Sequence, residues 1–367
     1  MTAGVTLARE TPATHGRLTD LDRAWSIPRS GARLTAVRAA AEALHDRFAR
    51  GPRVIAARVF DQARYLVPTA HALGGAASVL SRHLLVTHRA VLVQFLERGR
   101  LRSLLFDPTD VVAAREAPAF HRAIRRLGEP LALSVLSRTA EPLESSLARI
   151  GVAPADIDYV AFDHFHGQDV RSLLGTRDGT FLPRFPRARL LAPRVDWDAW
   201  AEPHPLSRPW VIAEGRLGVP EDRVISTDGD LELGDGVWIL RTPGRTAGHQ
   251  SLFINTPSGV WGVSANGACA DAWSPHESRI PGVRRHARRD DVDVIPRAGR
   301  SEHQADQYTS MVLERTLAGR LRRAPGVTQM LASSEVTRSF FALDVAPLDV
   351  RDELPSGALV TRPTRRR

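Results

Sequence analysis

Two histidines separated by one residue directly follow a short apolar run, and this segment constrains the fold more than any other. The run covers residues 157–162, and the histidines are His164 and His166. In an extended chain, residues two apart point to the same side, so both imidazoles can reach one metal ion. The pattern alone leaves two interpretations open, because a histidine pair of this spacing also arises by chance in chains that bind no metal.

A second segment, residues 242–249, reads Thr-Pro-Gly-Arg-Thr-Ala-Gly-His and lies between two predicted strands. Its Pro-Gly turn and its second glycine bend the backbone, and His249 stands at the start of the next strand. Glycines let a backbone pass close to a site because they carry no Cβ to clash with it. The alternative interpretation is a hairpin that carries a surface histidine.

The order of predicted elements favours an α/β fold with two stacked sheets and helices outside them, because strands precede and follow a helical region. The periodicity predicts helices over residues 33–49, 111–127, 142–150 and 308–321, and strands over 54–60, 84–87, 90–97, 101–106, 157–162, 189–192, 236–241, 251–255 and 260–264. We divide the chain into an N-terminal arm and helix (1–50), one large domain (51–345) and a C-terminal tail (346–367).

The basic charge of the chain does not by itself predict nucleic-acid binding. The net charge is +9, but all 50 basic residues are arginines, and they are interleaved with 41 acids along the whole length. The one concentrated run, residues 362–367, is typical of a solvated terminus, with a binding arm as the alternative. We therefore expect a small-molecule substrate and no nucleic-acid partner, while the oligomeric state stays open.

The single cysteine and the apolar runs restrict the remaining classes. One residue, Cys269, excludes an intramolecular disulfide framework and a cysteine-rich zinc site, so any metal must use histidines and carboxylates. No run approaches the ~20 apolar residues that cross a bilayer, and the first 18 residues lack the apolar stretch of a secretory signal. These features predict a cytoplasmic protein with no membrane segment.

Taken together, the two histidine segments resemble the metallo-β-lactamase superfamily, and the Gln-Ser-Leu-Phe-Ile run at residues 250–254 looks like its lactonase branch. The resemblance covers roughly residues 54–334. It implies a four-layer αββα sandwich in which a first metal ion is held by His164, His166 and His249. Three neutral imidazoles with an open fourth position form the arrangement that lowers the pKa of a zinc-bound water to ~7.

The chain departs from the family at the second metal site. Gln168 and Asp169 stand where the family has an Asp-His pair, and Asn266 occupies the place of the bridging aspartate. The segment expected to carry the last histidine, residues 295–299, has none, and His303 is the nearest substitute. The resemblance therefore implies Zn²⁺ with one ion favoured over two, Asn266 standing at the ligand position, and iron as an alternative metal.

These features lead to a metal-dependent hydrolase that cleaves an ester-like bond, such as a lactone or thioester, through a metal-bound hydroxide. Asp169 is the expected catalytic proton acceptor or a metal ligand, and the competing interpretation is a cap for the helix that follows. Two further classes stay open: an iron oxygenase and a metal-free binding scaffold. Tryptophans after the first segment either line a substrate pocket or pack the core, and for Asp107 we expect a structural role.

Overall fold

The computed structural model describes residues 16–127, 137–139, 141–297, 304–340 and 342–361, so the arginine-rich terminus and His303 lie outside the described residues. The strands are β1 Gly16–Leu18, β2 Ala56–Pro68, β3 His83–Glu97, β4 Arg100–Phe106, β5 Ser137–Thr139, β6 Tyr159–Ala161, β7 Arg189–Pro193, β8 Val224–Thr227, β9 Asp230–Gly234, β10 Val237–Arg241, β11 Gln250–Thr256, β12 Gly259–Ser264, β13 Arg320–Leu321, β14 Ala324–Thr328, β15 Met330–Ala332 and β16 Ser334–Val336.

The helices are α1 Asp22–Trp25, α2 Ser30–Arg50, α3 Thr69–Ala72, α4 Pro118–Leu127, α5 Leu143–Arg149, α6 Arg171–Leu174, α7 Arg194–Ala201, α8 Ala270–Trp273, α9 Val283–Arg289 and α10 Gln304–Leu317. None of the helices in the described part of the chain is long and apolar enough to cross a membrane.

Two sheets form the centre of the molecule. Within the described residues, the first sheet has the order β5-β2-β3-β4-β6-β7-β8, with β16 added along β3, and the second has the order β1-β9-β10-β11-β12-β15. Strands β4, β6, β7 and β8 run parallel. Their carboxyl ends therefore meet at one edge of the first sheet, where β6 runs into the first histidine segment.

Period-two alternation along the strands places the main core between the sheets. Val91, Val93 and Phe95 of β3 pack in one cluster with Leu252 and Ile254 of β11, all at most 1% exposed. The alternate residues of the first sheet face outward, onto a second cluster that includes side chains of α5 and α7. Helices α2 and α10 cover the outer face of the second sheet. The predicted αββα sandwich is confirmed.

Three predicted boundaries are wrong for local reasons. The helix predicted over 111–127 is interrupted, since Pro118 forces the preceding Ala117 out of helical geometry (ψ 130°) and starts α4 anew. The strands predicted over 84–87 and 90–97 are one strand, because the charge of Arg89 is paired with Asp61 and Glu335 inside the protein. Helix α10 ends before Gly319, whose N–H donates to Val260 of β12.

The three-part division of the chain remains a prediction. The α2 helix packs onto the second sheet, where Phe48 stacks on Trp238 with ring centroids 4.2 Å apart. From the region assigned to the tail, Val350 and Leu354 are buried in the core between the sheets.

Asp230 on β9 gives the fold a testable pH dependence. Its buried carboxylate accepts the N–H of Arg241 at 2.7 Å, but burial and the nearby charges of Asp22 and Asp20 raise its pKa to about 7 from an ordinary 3.8. The folded protein therefore holds a proton that the unfolded chain releases, and stability falls as pH rises from about 4 to 7, by at most ~1.4 kcal/mol per pH unit. Asp230→Asn keeps the acceptor and removes the charge. Urea unfolding at pH 5 and 8 should show the variant gaining stability relative to the wild type at pH 8, and an unchanged difference between the two pH values would contradict this.

Candidate metal centre

The two histidine segments meet at the edge where β6 ends and β11 begins. The main-chain N–H of Gln250 donates to the carbonyl of Asp163 at 2.9 Å, and its side-chain amide donates to Phe162 at 2.8 Å. These bonds bring the His249 ring to 5.8 Å from that of His164, centroid to centroid, while the His166 ring lies 4.8 Å from His164. The fold thus gathers three imidazoles from two distant segments.

Each of the three imidazoles keeps a ring nitrogen without a hydrogen-bond partner among the described residues. His166 Nδ1 and His249 Nε2 are buried and unpartnered. In His164 the Nδ1 atom bonds to Asp163 at 2.5 Å, which leaves Nε2 as the free nitrogen. Buried polar atoms without partners are rare in native folds. Two of them, on rings that lie beside His164, fit a zinc or iron ion as the missing partner.

Burial keeps these rings in the state that metals bind. It lowers the pKa of His249 to about 3, and it lowers that of His166 well below 6.5 with help from the neighbouring charge of His164. Both imidazoles are therefore neutral at neutral pH. A neutral ring offers a lone pair, so neither proton has to be displaced when a metal binds.

Asp163 joins this cluster, although sequence reasoning gave it no role. The carboxylate, His164 and His249 each offer a ligand atom, and these atoms lie within 4.8 Å of one another. Burial alone would raise the pKa of Asp163, but the attraction and hydrogen bond of His164 outweigh it, and the pKa falls well below its ordinary value. Its other oxygen accepts from Ser333 at 2.5 Å. The only sequence signal was its position, between the strand and the first histidine.

Asp107 supports Asp163 from the end of the neighbouring strand, as its expected structural role requires. One carboxylate oxygen of Asp107 accepts the main-chain N–H of Asp163 at 2.9 Å. Burial, and then the charge of Asp163, raise the pKa of Asp107 well above its ordinary value. The two carboxyl groups therefore differ in protonation state: Asp163 is ionised and Asp107 is protonated.

Behind His249 lies a fully buried carboxylate, Glu314 on α10, that no sequence motif indicated. Its Oε1 accepts from the hydroxyls of Ser251 and Ser264, both at 2.8 Å, and from the amide of Asn266 at 2.9 Å. Its Oε2 accepts from the indole N–H of Trp273 at 2.7 Å. Burial raises the pKa of Glu314 to about 7 against these four donors, all of which favour the ionised form.

This carboxylate sets the tautomer of His249 through two hydroxyls. Because the Ser251 proton is directed to Glu314, Thr242 must donate to Ser251 across their 2.7 Å contact. The Thr242 oxygen is then left to accept the Nδ1–H of His249 at 3.0 Å. Both amide hydrogens of Asn266 are already directed to Thr242 O and Glu314. His249 therefore carries its proton on Nδ1 and its free lone pair on Nε2.

Asn266 and Asp169, the other predicted site residues, are each engaged by the protein. The side-chain oxygen of Asn266 accepts the N–H of Arg245 at 3.3 Å, and its amide lies 3.5 Å from His249 Nδ1. The Asp169 carboxylate accepts the main-chain N–H of Arg171 at 3.0 Å and is paired with its guanidinium at 2.6 Å. Asp169 lies one residue before the N-cap Val170 and accepts the first N–H of α6, and its catalytic, ligand and capping roles all stay predictions.

Gln168 and the tryptophans surround the centre. The Gln168 amide donates to Thr109 at 3.0 Å, while its Oε1 is buried and has no partner among the described residues. Trp197 and Trp200 are at most 5% exposed and pack on Phe165, so both serve the core. Trp210 lies at the surface, 36% exposed.

Comparisons with known proteins agree with this architecture. No family model matches the chain. Two N-acyl homoserine lactonases, from Bacillus sp. and Bacillus thuringiensis, are 27% and 31% identical to it over 110 residues, which is 30% of this chain. The match spans 38% of the length of these curated relatives.

Solved structures extend the likeness over most of the chain. A quorum-quenching N-acyl homoserine lactone lactonase aligns with a TM-score of 0.51 at 18% identity, over 79% of this chain and 98% of that one. An N-acyl homoserine lactone hydrolase, solved with N-hexanoyl-L-homoserine at its catalytic metal centre, gives 0.50 at 17% identity, over 78% and 98%. At these identities the likeness establishes the fold.

Proposed function

Because this chain has the metallo-β-lactamase fold, resembling its lactonase branch, we propose that it is a metal-dependent hydrolase of ester-like bonds, with a lactone as the first substrate to test and a thioester as the second. The observation that carries this proposal is the set of three free imidazole nitrogens gathered by His164, His166 and His249. The solved lactone hydrolase that holds its product at a metal centre supports the substrate class.

In this mechanism His164, His166 and His249 would hold one metal ion through the ring nitrogens that have no partner among the described residues. A zinc ion bound there would polarise the carbonyl and lower the pKa of a bound water to ~7, which supplies the nucleophile. Asp163 fixes the ring of His164 through Nδ1, and Thr242 fixes that of His249. Gln168 Oε1, buried and unpartnered, is available to accept a hydrogen bond from water or substrate.

The proposal is tested by purifying the protein without added metal, measuring its metal content, and assaying a panel of lactones and thioesters. Zinc with hydrolysis of at least one lactone or thioester supports it. Bound iron with no hydrolysis across the panel would indicate an iron oxygenase instead. A protein that holds no metal at all would indicate a binding scaffold.

We expect about one firmly bound ion per chain. The positions that the resemblance assigns to a second ion hold Gln168, Asp169 and Asn266, and the latter two have their oxygens engaged by Arg171 and Arg245. Elemental analysis after dialysis should return close to one zinc per chain. Two ions that survive dialysis would mean that Asp169 and Asn266 leave their present partners to become ligands.

Asp169→Asn separates the three roles of this carboxylate. Since Asn accepts the Arg171 N–H as Asp does, we expect the variant to retain its metal and to lose less than about tenfold in kcat/KM. A loss of ~10²-fold with full metal content would instead show a general base. Loss of metal together with activity would show a ligand, and elemental analysis beside the lactone assay distinguishes all three.

A further inference from the structure

Two arginines converge beside the metal centre. The main-chain N–H of Arg245 donates to the side-chain oxygen of Asn266 at 3.3 Å. The main-chain N–H of Arg297 donates to the main-chain oxygen of the same asparagine at 3.2 Å. Asn266 itself lies against His249. One residue next to a predicted ligand therefore anchors the backbones of both arginines, although they come from segments far apart in the sequence.

Among the described residues, neither guanidinium group forms an ion pair with a carboxylate. Arg297 is 5% exposed, and the hydrogen bond that its side chain makes within this part of the chain is a long contact of 3.4 Å from Nη2 to the carbonyl of Ser334. Arg245 is partly buried, and no side-chain hydrogen bond or ion pair links it to the described residues. The Nε atoms of both arginines are buried and unpartnered. Burial of a cation without a paired anion is costly, so the pair favours an anion.

The charges of these arginines reach the imidazoles of the site. Burial, and then the charge of Arg297, lower the pKa of Arg245 to about 10. The charge of Arg245 contributes to the low pKa values of His166 and His249, after burial and the charges nearer to those rings. The charges of the two guanidiniums therefore act on each other and on the predicted metal ligands.

The nearby carboxylates among the described residues are already engaged. Asp163 is bonded to His164 and Ser333. Glu335 is paired with Arg89 in a buried ion pair through Oε2, while its Oε1 has no hydrogen-bond partner among the described residues. The resemblance would place the last histidine of the second metal site within residues 295–299, where this chain has Arg297, so a cation stands where a ligand of a second ion would otherwise be.

We propose that Arg245 and Arg297 bind an oxyanion, the carboxylate or phosphate group of an anionic substrate, beside the single metal ion. A guanidinium presents a planar fork of N–H donors that matches both groups, and two forks side by side supply the charge that one metal ion would otherwise supply. This inference rests on the proposed function and narrows its substrate to an ester, lactone or thioester that carries an anionic group.

The test uses metal-free protein, so that an anion cannot bind through zinc. The metal is removed with 1,10-phenanthroline, which is uncharged, because a polycarboxylate chelator would itself occupy the site. Inorganic phosphate and acetate are titrated at constant ionic strength against chloride, and binding is followed by calorimetry and by the rise in Tm. The variants are Arg245→Met and Arg297→Met, with Arg245→Lys as a version that keeps the charge and loses the fork. Arg216→Met, a partly buried arginine that stacks on Trp197, is the matched control.

We expect saturable binding of phosphate or acetate to the wild type and to Arg216→Met. Each methionine variant at the site should bind at least ~10-fold more weakly, as the loss of a charge-assisted hydrogen bond predicts, and Arg245→Lys should lie between the wild type and Arg245→Met. Preference for phosphate would indicate a phosphorylated substrate, and preference for acetate a carboxylated one. No saturable binding beyond chloride, or equal binding by the site variants, overturns the inference. Neither result decides the proposed function, because the metal content and lactone hydrolysis of the wild type are measured separately.

Discussion

Replacing His249 with alanine should release the metal and abolish hydrolysis. The ring is fully buried, its Nε2 is one of the three free imidazole nitrogens, and it comes from a segment far from the other two ligands. Loss of a direct ligand should weaken metal binding by more than the 10–100-fold typical of an outer partner, so we expect at least ~100-fold. Competition with a zinc indicator measures the affinity, and a lactone assay the activity.

Because His249 is buried, the alanine variant also loses packing and leaves the Thr242 hydroxyl without its partner. A stability loss of about 1–3 kcal/mol is expected, which the fold should survive, and circular dichroism checks it. His45→Ala is the control, since His45 bonds to the carbonyl of Leu317 on the outer face of the second sheet. If His249→Ala retains full metal occupancy, the pairing of the two segments at one ion is wrong.

The sandwich and the meeting of His164, His166 and His249 could be predicted from the resemblance to a known family, because the two motifs that carry it are local signals in the sequence. The role of Asp163 could not be predicted from the sequence, because it depends on which ring nitrogen of His164 the carboxylate contacts. Glu314 was invisible for a stronger reason. It lies on the helix predicted over 308–321, and its contact with the site exists only after α10 packs on the second sheet.

The same limit explains Asp169. A carboxylate next to ligating histidines is a reasonable base or ligand from its position in the sequence. Its partner, Arg171, lies two residues further on, so the competing cap was equally local. Sequence order could not choose between an oxygen that faces the metal and one that faces the helix. The orientation of the Asp169 side chain depends on the turn between His166 and Asp169, in which Gly167 adopts a φ of 71°.

The two serines beside Glu314 provide the sharpest test of how the site is oriented. Ser251 and Ser264 are both fully buried, and each donates to the same oxygen of Glu314 at 2.8 Å. Only Ser251 also contacts Thr242, which holds the Nδ1–H of His249. The two alanine variants therefore remove equivalent hydrogen bonds from Glu314, but only one of them breaks the chain that leads to the imidazole.

We expect Ser251→Ala to weaken zinc binding by ~10-fold or more, in the range for lost outer partners of metal-bound histidines, and Ser264→Ala to leave it unchanged. Both should lose similar stability, about 1–3 kcal/mol, because each leaves the buried carboxylate one donor short. Thr242→Val, which removes the acceptor of the His249 proton itself, should weaken binding at least as much as Ser251→Ala. Zinc competition and urea unfolding on the same preparations measure both quantities. Equal affinity losses in the two serine variants would mean that Glu314 acts only through the stability of the fold, and that His249 finds its tautomer without the hydroxyl chain.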